Sequence, residues 1–215
     1  MAWPKQRKHE TRRRIVAAAA EAFRQRGIES VGVDEIMARA GLTHGGFYAH
    51  FRSKDELVAH AMAHAAAEVG RIFDVPAGAE KLEAPEALRK SPAPASSTKS
   101  GAAEPGIMDV AKFYLSTQHY ARPEHGCPVA ALGTELSRST GGTRRTVAAE
   151  LRGRIKKLFA RTSPSLSPQA RQAQASGALA CMVGGMIVAR TMQGKDGAEF
   201  LADCRKFLET SLEHR

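Results

Sequence analysis

Apolar residues recur at intervals of three and four along most of this 215-residue chain, and no other feature constrains the fold as strongly. Such spacing places them on one face of an α-helix. The first helical segment runs from about Glu10 to Arg26, with Ile15, Ala19 and Phe23 on its apolar face. Runs that alternate apolar and polar residues, as half-buried strands do, are almost missing. The pattern therefore predicts an all-α protein.

The composition predicts a globular protein with a polyanionic partner. Hydrophobic residues make up 43% of the chain, enough for a packed core. Lys and Arg number 32 against 22 Asp and Glu, a net charge of +10, which favours nucleic acid or an anionic membrane surface. No apolar run follows the basic N-terminus, and no uninterrupted stretch of about 18 apolar residues occurs. We therefore expect a cytoplasmic protein that does not enter a membrane.

The cysteines argue for a reducing compartment. Cys127, Cys181 and Cys204 are odd in number and far apart in the chain. This arrangement does not fit a disulfide framework, and its spacing does not fit a zinc site. We expect no bound metal and no cofactor.

Residues from about 31 to 50 have the proportions of a helix-turn-helix. A short helix over Val33–Ala40 is followed by a tight turn at Gly41, and Thr43 is a favourable N-cap for the next helix. Phe47 and Phe51 are four residues apart and share one face, which we assign to the core. His44 and Tyr48 then lie on the opposite face.

That second helix breaks a local rule, because Gly45 and Gly46 stand side by side in its first turn. Each glycine costs about 1 kcal/mol relative to alanine inside a helix. The second helix of a helix-turn-helix enters the DNA major groove by its N-terminus, where missing Cβ atoms allow close approach. Alternatively, the two glycines are there only because the turn favours them, without any role in DNA binding. The predicted DNA contacts are Thr43, His44, Gly45, Gly46, Tyr48, His50, Lys54, Arg12 and Arg13.

The segment from Glu10 to Met62 closely resembles the DNA-binding domain of tetracycline-repressor-type (TetR family) transcriptional regulators. The resemblance covers roughly residues 8 to 68. The positions that match the family pattern are Phe23, Gly27, Ile36, Ala40, Gly41, Phe47, Tyr48, His50, Phe51, Lys54 and Leu57. The resemblance implies a homodimer whose subunits each carry one small DNA-binding domain and a larger helical domain for ligand binding and dimerisation.

The domain organisation follows from this resemblance and from a change in composition. Residues 8–68 form the helix-turn-helix domain, with three helices. Residues 74–106, which include "SPAPASSTKSG", are rich in Pro, Ala, Ser and Gly and are interpreted as a low-complexity linker or insertion. Residues 107–215 form the helical ligand-binding and dimerisation domain. Within it, we expect segments 169–192 and 199–214 to form the dimer interface.

A ligand pocket is the least specific prediction. Its expected lining residues are Phe113, Tyr114, Cys127, Met182, Met186 and Arg190, most of which would serve equally well in a core. Cys127 precedes Pro128 and is the expected N-cap of a helix, where the helix dipole favours a thiolate. The segment "EHGCPVAALGTEL" around it resembles one branch of the family. Two interpretations of Cys127 stay open, a sensor for electrophiles and a small buried residue.

The function predicted from the sequence is a ligand-responsive transcriptional regulator, most simply a repressor. It would bind a palindromic operator in double-stranded DNA as a homodimer and be released by a small-molecule or electrophile effector. Three alternatives remain: a regulator without a ligand or an activator, a small enzyme with Cys127 as nucleophile beside His125 or His119, and a basic protein of the membrane surface. We expect no catalytic activity, because no orienting carboxylate or phosphate loop accompanies Cys127.

Overall fold

The computed structural model describes residues 4–70, 106–139 and 141–213, and these residues form helices joined by turns, with no strand among them. Apart from Gly106, the predicted linker 74–106 lies outside the described residues. The α-helices of the described part are α1 Pro4–Arg26, α2 Val33–Arg39, α3 Lys54–Gly70, α4 Ile107–Tyr114, α5 Thr117–Ala121, α6 Pro128–Arg138, α7 Gly141–Ala160, α8 Pro168–Met192 and α9 Gly194–Glu213. Two 3₁₀ helices, His44–Ala49 and Pro123–His125, complete the set. The all-α prediction is confirmed.

Two helices begin earlier than the apolar pattern indicates. Helix α1 begins at Pro4 instead of Glu10, and α9 begins at Gly194, five residues before the segment 199–214 that we expect at the dimer interface. Both extra turns are polar, so they carry no apolar periodicity that would mark them. In α9 the first turns contain an ion pair between Lys195 and Glu199, 3.3 Å apart, at the favourable spacing of four residues.

The contacts between residues divide the chain into two compact units. The first unit contains the residues up to Val69 together with Arg122–Leu151. The second contains the described residues of Gly70–Ala121 and Arg152–Arg215. This division runs differently from the sequence-based boundary at residue 107, because α6 packs with the N-terminal helices.

The core of the first unit explains why α6 belongs to it. Leu132 and Leu136 of α6 are buried in the same cluster as Ile15, Phe23 and Ile36. Polar contacts reinforce this packing. The Glu135 carboxylate accepts hydrogen bonds from the backbone N–H groups of Ile28, at 2.7 Å, and Glu29, at 3.3 Å. A charged acceptor makes these hydrogen bonds stronger than neutral ones.

The second unit is built on α4, α8 and α9. Its fully buried side chains include Tyr114, Leu115, Met182, Met186 and Leu201. Helices α8 and α9 approach closely at Gly197, because a Cβ there would collide with the Ala189 carbonyl oxygen and the Tyr120 hydroxyl group. Glycine is required at such a close approach of two helices.

Helix α8 is long and apolar enough, by length and composition alone, to cross a membrane. The core helix of a soluble protein passes the same test. Seven residues of α8 are buried within the unit: Ala175, Ala178, Leu179, Met182, Gly185, Met186 and Ala189. Their burial accounts for the apolar character of one face of the helix.

Candidate nucleic-acid interface

The turn between α2 and the 3₁₀ helix His44–Ala49 is fixed by backbone geometry. Gly41 has φ +67°, in the left-handed region that favours glycine. The Gly41 N–H donates to the Ala38 carbonyl at 2.9 Å, and the Leu42 N–H donates to the Met37 carbonyl at 2.9 Å. These bonds close α2 in the manner of a helix C-cap, so the turn sets the angle at which the next element leaves.

The 3₁₀ helix separates its aromatic residues onto two faces. Phe47 and Phe51 are each 1% exposed and stack with ring centroids 5.7 Å apart. Tyr48 is 70% exposed and stands edge-on to Phe47. Large aromatic side chains are seldom this exposed in a folded protein. The exposure of Tyr48 beside a buried aromatic pair therefore marks it as a candidate binding residue.

The neighbouring glycine Gly45 has no internal reason to be glycine. A Cβ built there meets nothing within 4 Å, and the backbone does not have a positive φ. A Cβ at Gly46 would touch the Met37 methyl carbon at 3.5 Å, an ordinary contact. Neither packing nor backbone conformation therefore demands the glycine pair, which leaves close approach of an external partner as a reason for it.

The predicted DNA-contact residues on and around this 3₁₀ helix differ in how far they are exposed. Thr43, His44, Tyr48 and Arg13 are exposed, and Gly45 is exposed with them. Arg12, Gly46, His50 and Lys54 are half-buried. The structure brings His44 and Tyr48 together, with ring centroids 6.3 Å apart, and His44 Nδ1 contacts the Asp34 carboxylate of α2. Thr43 is the N-cap, as predicted, but its side chain makes no capping hydrogen bond.

The Arg12 guanidinium makes contacts within the protein, and these contacts determine how Arg12 can contribute to DNA binding. Its guanidinium donates to Glu56 at 3.2 Å and to the His50 carbonyl at 3.4 Å, and it lies 4.4 Å from the centroid of the Phe51 ring. This set of contacts ties α1 to the segment that follows the 3₁₀ helix. Arg12 therefore holds that segment in place, whereas the neighbouring Arg13 is exposed.

Two histidines beside Arg12 are electrically neutral at pH 7. Burial lowers the pKa of His50, and the charges of Lys8 and Arg12 lower it further. Burial and Arg12 also lower the pKa of His60 below its usual value. As neutral imidazoles they can take part in hydrogen bonds but add no positive charge to the surface.

The start of α3 resembles a capping box with one difference. The Ser53 hydroxyl accepts from the Glu56 N–H at 3.1 Å. The Glu56 carboxylate reaches back to the Arg52 N–H at 2.8 Å, one residue earlier than in a standard capping box. This backbone hydrogen bond lowers the pKa of Glu56 against a weaker opposing effect of burial.

A buried ion pair joins α1 to α3, and the sequence analysis missed it. The Arg24 side chain is fully buried and donates to Glu68 at 2.8 Å and to the Gly126 carbonyl at 3.3 Å. Burial acts to raise the pKa of Glu68, but hydrogen bonds from His64 and Arg24 and the Arg24 charge lower it to about 2. The signal was available, since Arg24 follows Phe23 on the inward face of α1.

The residues predicted for a ligand pocket fall into both units. Cys127 lies in the first unit, 0% exposed, at the N-cap of α6. In the second unit Tyr114, Met182 and Met186 are fully buried, and Phe113 is half-buried. Arg190 donates to the His119 carbonyl at 2.7 Å and to the Tyr120 carbonyl at 3.4 Å, so it complements the end of α5.

The surface hollows of the second unit have other linings. One lies between α8 and α9 and is lined mainly by small and apolar residues, among them Ala170, Ala173, Gly177, Phe207, Leu208 and Leu212. Another lies along the first turns of α8, against Pro168, Gln172 and Ser176. Among the described residues no group of three or more His, Cys, Asp or Glu side chains could hold a metal ion.

Comparisons with known proteins bear on the first unit. Residues 15–61 match the model of bacterial regulatory proteins of the tetR family. The HTH-type transcriptional regulator AcrR of Shigella flexneri is 42% identical over 53 residues, which are 25% of each chain. TtgR of Pseudomonas putida, also an HTH-type transcriptional regulator, is 43% identical over 54 residues, 25% of this chain and 26% of TtgR. The matched segment spans about a quarter of these relatives' length.

Solved structures extend the likeness to the fold of the chain. A TetR transcriptional regulator from Chloroflexus aurantiacus superimposes with a TM-score of 0.71 at 24% identity, covering 98% of both chains. The reduced form of NemR from E. coli gives a TM-score of 0.60 at 21% identity, covering 91% of this chain and 96% of NemR. At these identities the likeness concerns the fold.

The helix-turn-helix, its exposed tyrosine and the matched segment together define a DNA-binding type of domain in the first unit. Residues 15–61 carry the segment that identifies the tetR family of bacterial regulatory proteins.

Proposed function

We propose that this protein is a cytoplasmic repressor that binds a palindromic operator as a homodimer and releases it when a small-molecule effector binds. One observation carries the DNA-binding part of the proposal. Tyr48 is 70% exposed on an element whose other aromatic residues are buried, and Gly45 beside it has open space where a Cβ would stand.

The exposed face of the 3₁₀ helix would enter the major groove. Thr43, His44 and Tyr48 supply hydroxyl and ring nitrogen groups for base edges and phosphates. Gly45 and Gly46 let the backbone N–H groups approach a phosphate. Arg13 and Lys54 supply flanking positive charge, and Arg12 positions the segment through Glu56 and Phe51.

The homodimer would form through α8 and α9, as an apolar exposed surface on these helices suggests. Phe207 is 62% exposed, Met192 48%, Ile187 42% and Val188 40%. On α8, Gly177 and Gly184 have nothing within 4 Å of a Cβ position, so a second helix has room to approach there. Large exposed apolar side chains on two packed helices are typical of an interaction surface. A second copy of the chain is the occupant that the palindromic operator requires.

The route from an effector to the DNA-binding helices would pass through Arg24. Cys127 follows Gly126, whose carbonyl accepts a hydrogen bond from Arg24, and Arg24 in turn pairs with Glu68 of α3. A change at Cys127 would therefore move the partner of a fully buried arginine. Tightly packed cores shift between discrete arrangements more readily than they deform continuously, as a switch needs. An electrophile that modifies Cys127 and a ligand that displaces the Pro123–His125 segment would act on the same contact.

The alternative of an enzyme with Cys127 as nucleophile gains no support. The Cys127 side chain is fully buried, and the His119 ring contacts the Tyr114 carbonyl at 2.6 Å through Nδ1. A nucleophile needs access to substrate and a base within hydrogen-bonding reach.

The test is a gel shift with fragments of the protein's own genome at two salt concentrations, with unrelated duplex DNA as competitor. We expect complexes that survive an excess of unrelated DNA and weaken as salt rises, because phosphate contacts release counterions. If every duplex competes equally well, the proposed operator selectivity is wrong.

A further inference from the structure

Two cysteine thiols lie together in the second unit, one on each of its last two helices. Cys181 of α8 donates from its Sγ to the Cys204 carbonyl oxygen of α9, at 3.9 Å, and the two thiols lie close enough to shift each other's pKa. Both residues are half-buried and neither is in a disulfide. The pair is 23 residues apart in sequence, so the fold creates it.

Gly185 makes the room for this pair. A Cβ at position 185 would stand 2.9 Å from the Cys204 Sγ and 3.5 Å from the Cys204 Cβ, and it would also touch Leu115 at 3.4 Å. Any larger residue would therefore push the Cys204 thiol away from its present position. Glycine at position 185 of α8 thus leaves the space that the Cys204 sulfur atom occupies.

The chemistry of the pair restricts what it can bind. No group of three or more His, Cys, Asp or Glu side chains comes together in the described parts of the chain, so a four-coordinate zinc site is not available here. Two sulfur ligands suit a soft, thiophilic centre. Burial and the contact with Cys204 raise the pKa of Cys181 to about 11, and burial raises the pKa of Cys204. Both groups are thus protonated thiols at neutral pH.

We propose that Cys181 and Cys204 form a binding site for trivalent organoarsenicals, in which one arsenic atom bridges the two sulfurs. In water such a compound carries two hydroxyl groups on arsenic. Each As–O bond is replaced by an As–S bond, each thiol proton leaves with a hydroxyl group as water, and the As–C bond stays intact. No electron is transferred, so no oxidant is needed. The site is independent of whether the chain binds DNA.

The experiment uses phenylarsine oxide and the full chain, kept reduced with a phosphine. Intact-mass spectrometry counts the bound arsenicals, and glutathione in excess removes weak adducts with single thiols. We expect one tightly held phenylarsenic group per chain. Addition of a small dithiol should remove it, because a competing dithiol exchanges for both protein sulfurs.

Three cysteine variants assign the site. Cys181→Ser and Cys204→Ser should each weaken arsenical binding by at least about 100-fold, since loss of one sulfur removes the benefit of two linked contacts. Cys127→Ser is the matched control, and it should bind as the unmodified chain does. Gly185→Ala should weaken binding although it leaves all three thiols present. Circular dichroism checks that each variant is folded.

A second measurement needs no variant. The arsenical is bound first, the chain is then denatured in iodoacetamide, and peptides are mapped. Protection of Cys181 and Cys204 with full alkylation of Cys127 supports the proposal. The proposal is overturned if the folded chain retains no arsenical against glutathione, if either single-serine variant binds with undiminished affinity, or if Cys127 is the protected residue.

Discussion

Phe47 and Tyr48 are neighbours in the chain, with ring centroids 5.2 Å apart at an interplanar angle of 84°, yet Phe47 is 1% exposed and Tyr48 is 70% exposed. The buried ring anchors the 3₁₀ helix to the core of the first unit, and the exposed ring is presented outward from the same backbone. Anchoring by Phe47 and Phe51 means that Tyr48 can be changed without loss of the fold. This separation makes the DNA-binding proposal testable by mutation.

Gly45→Ala should weaken DNA binding and leave stability unchanged or slightly higher. The structure has open space at this Cβ position, so the folded protein accepts the methyl group. In the complex the same methyl group would hold the backbone away from DNA. Thermal unfolding and gel shifts measure the two effects.

The matched control is Gly153→Ala in α7, where a Cβ also meets nothing within 4 Å. That variant should gain roughly 0.5–1 kcal/mol of stability, as alanine does over glycine within a helix, and bind DNA normally. If Gly45→Ala binds as the unmodified protein does, the glycine pair is only turn chemistry.

The Arg24–Glu68 pair predicts a pH dependence of stability. The pKa of Glu68 is lowered from 4.5 to about 2 in the folded chain, so the folded state prefers the ionised form. Its contribution is complete above about pH 4.5 and is lost as the pH falls towards 2. The shift corresponds to roughly 3 kcal/mol.

Glu68→Gln removes this titration and supplies the comparison. Denaturant unfolding of both proteins between neutral and acidic pH should show the unmodified chain losing its advantage over the variant as the pH falls below about 4.5. A stability difference that stays constant over this range would mean that Glu68 titrates normally in the folded state.

The contrast between the helix-turn-helix and the rest of the molecule shows what the sequence could predict. The spacing of Phe47 and Phe51 and the Gly41 turn follow from local rules, so this element and the exposure of Tyr48 were predictable. Contacts between residues distant in sequence were not. Glu135 bonds to the N–H of Ile28, and Cys181 meets Cys204, only because the fold brings α6 to α1 and α8 to α9.

Local rules also placed Arg12 on the DNA-facing surface, because its charge suits phosphate. In the structure its guanidinium contacts Glu56 and the Phe51 ring, and its contact with DNA stays a prediction. The acidic partner lies 44 residues away, and no local pattern shows that the two will meet.

Phe207→Glu should dissociate the proposed dimer. Phe207 is 62% exposed on α9, and a carboxylate in a closely packed apolar interface would be buried without a partner. Light scattering coupled to gel filtration at micromolar concentration should give the mass of one chain for this variant and of two chains for the unmodified protein.

Ala202→Glu, an exposed position elsewhere on α9, is the control with the same added charge, and it should remain a dimer. A Phe207→Glu protein that keeps the mass of two chains would place the interface elsewhere.

Cys127→Ser tests the sensor interpretation. The serine side chain is close in size, so the folded variant should bind DNA, but it lacks the thiol. If Cys127 is the sensor, the variant loses release by thiol-reactive compounds, which the unmodified protein shows in a gel shift. A variant that is still fully released by the same compounds makes Cys127 structural. The Cys181→Ser protein serves as the matched control in this assay.

The most direct test of the central claim is to sequence the fragments that the protein retains from its own fragmented genomic DNA, in parallel with the Tyr48→Ala variant. The proposal predicts that the unmodified protein enriches a palindromic sequence whose half-sites lie about 34–36 Å apart, one turn of DNA, or at a similar spacing. Tyr48→Ala, folded as judged by circular dichroism, should bind that sequence more weakly by about 1–3 kcal/mol. No enriched sequence from the folded protein, or equal binding by Tyr48→Ala, would contradict the account.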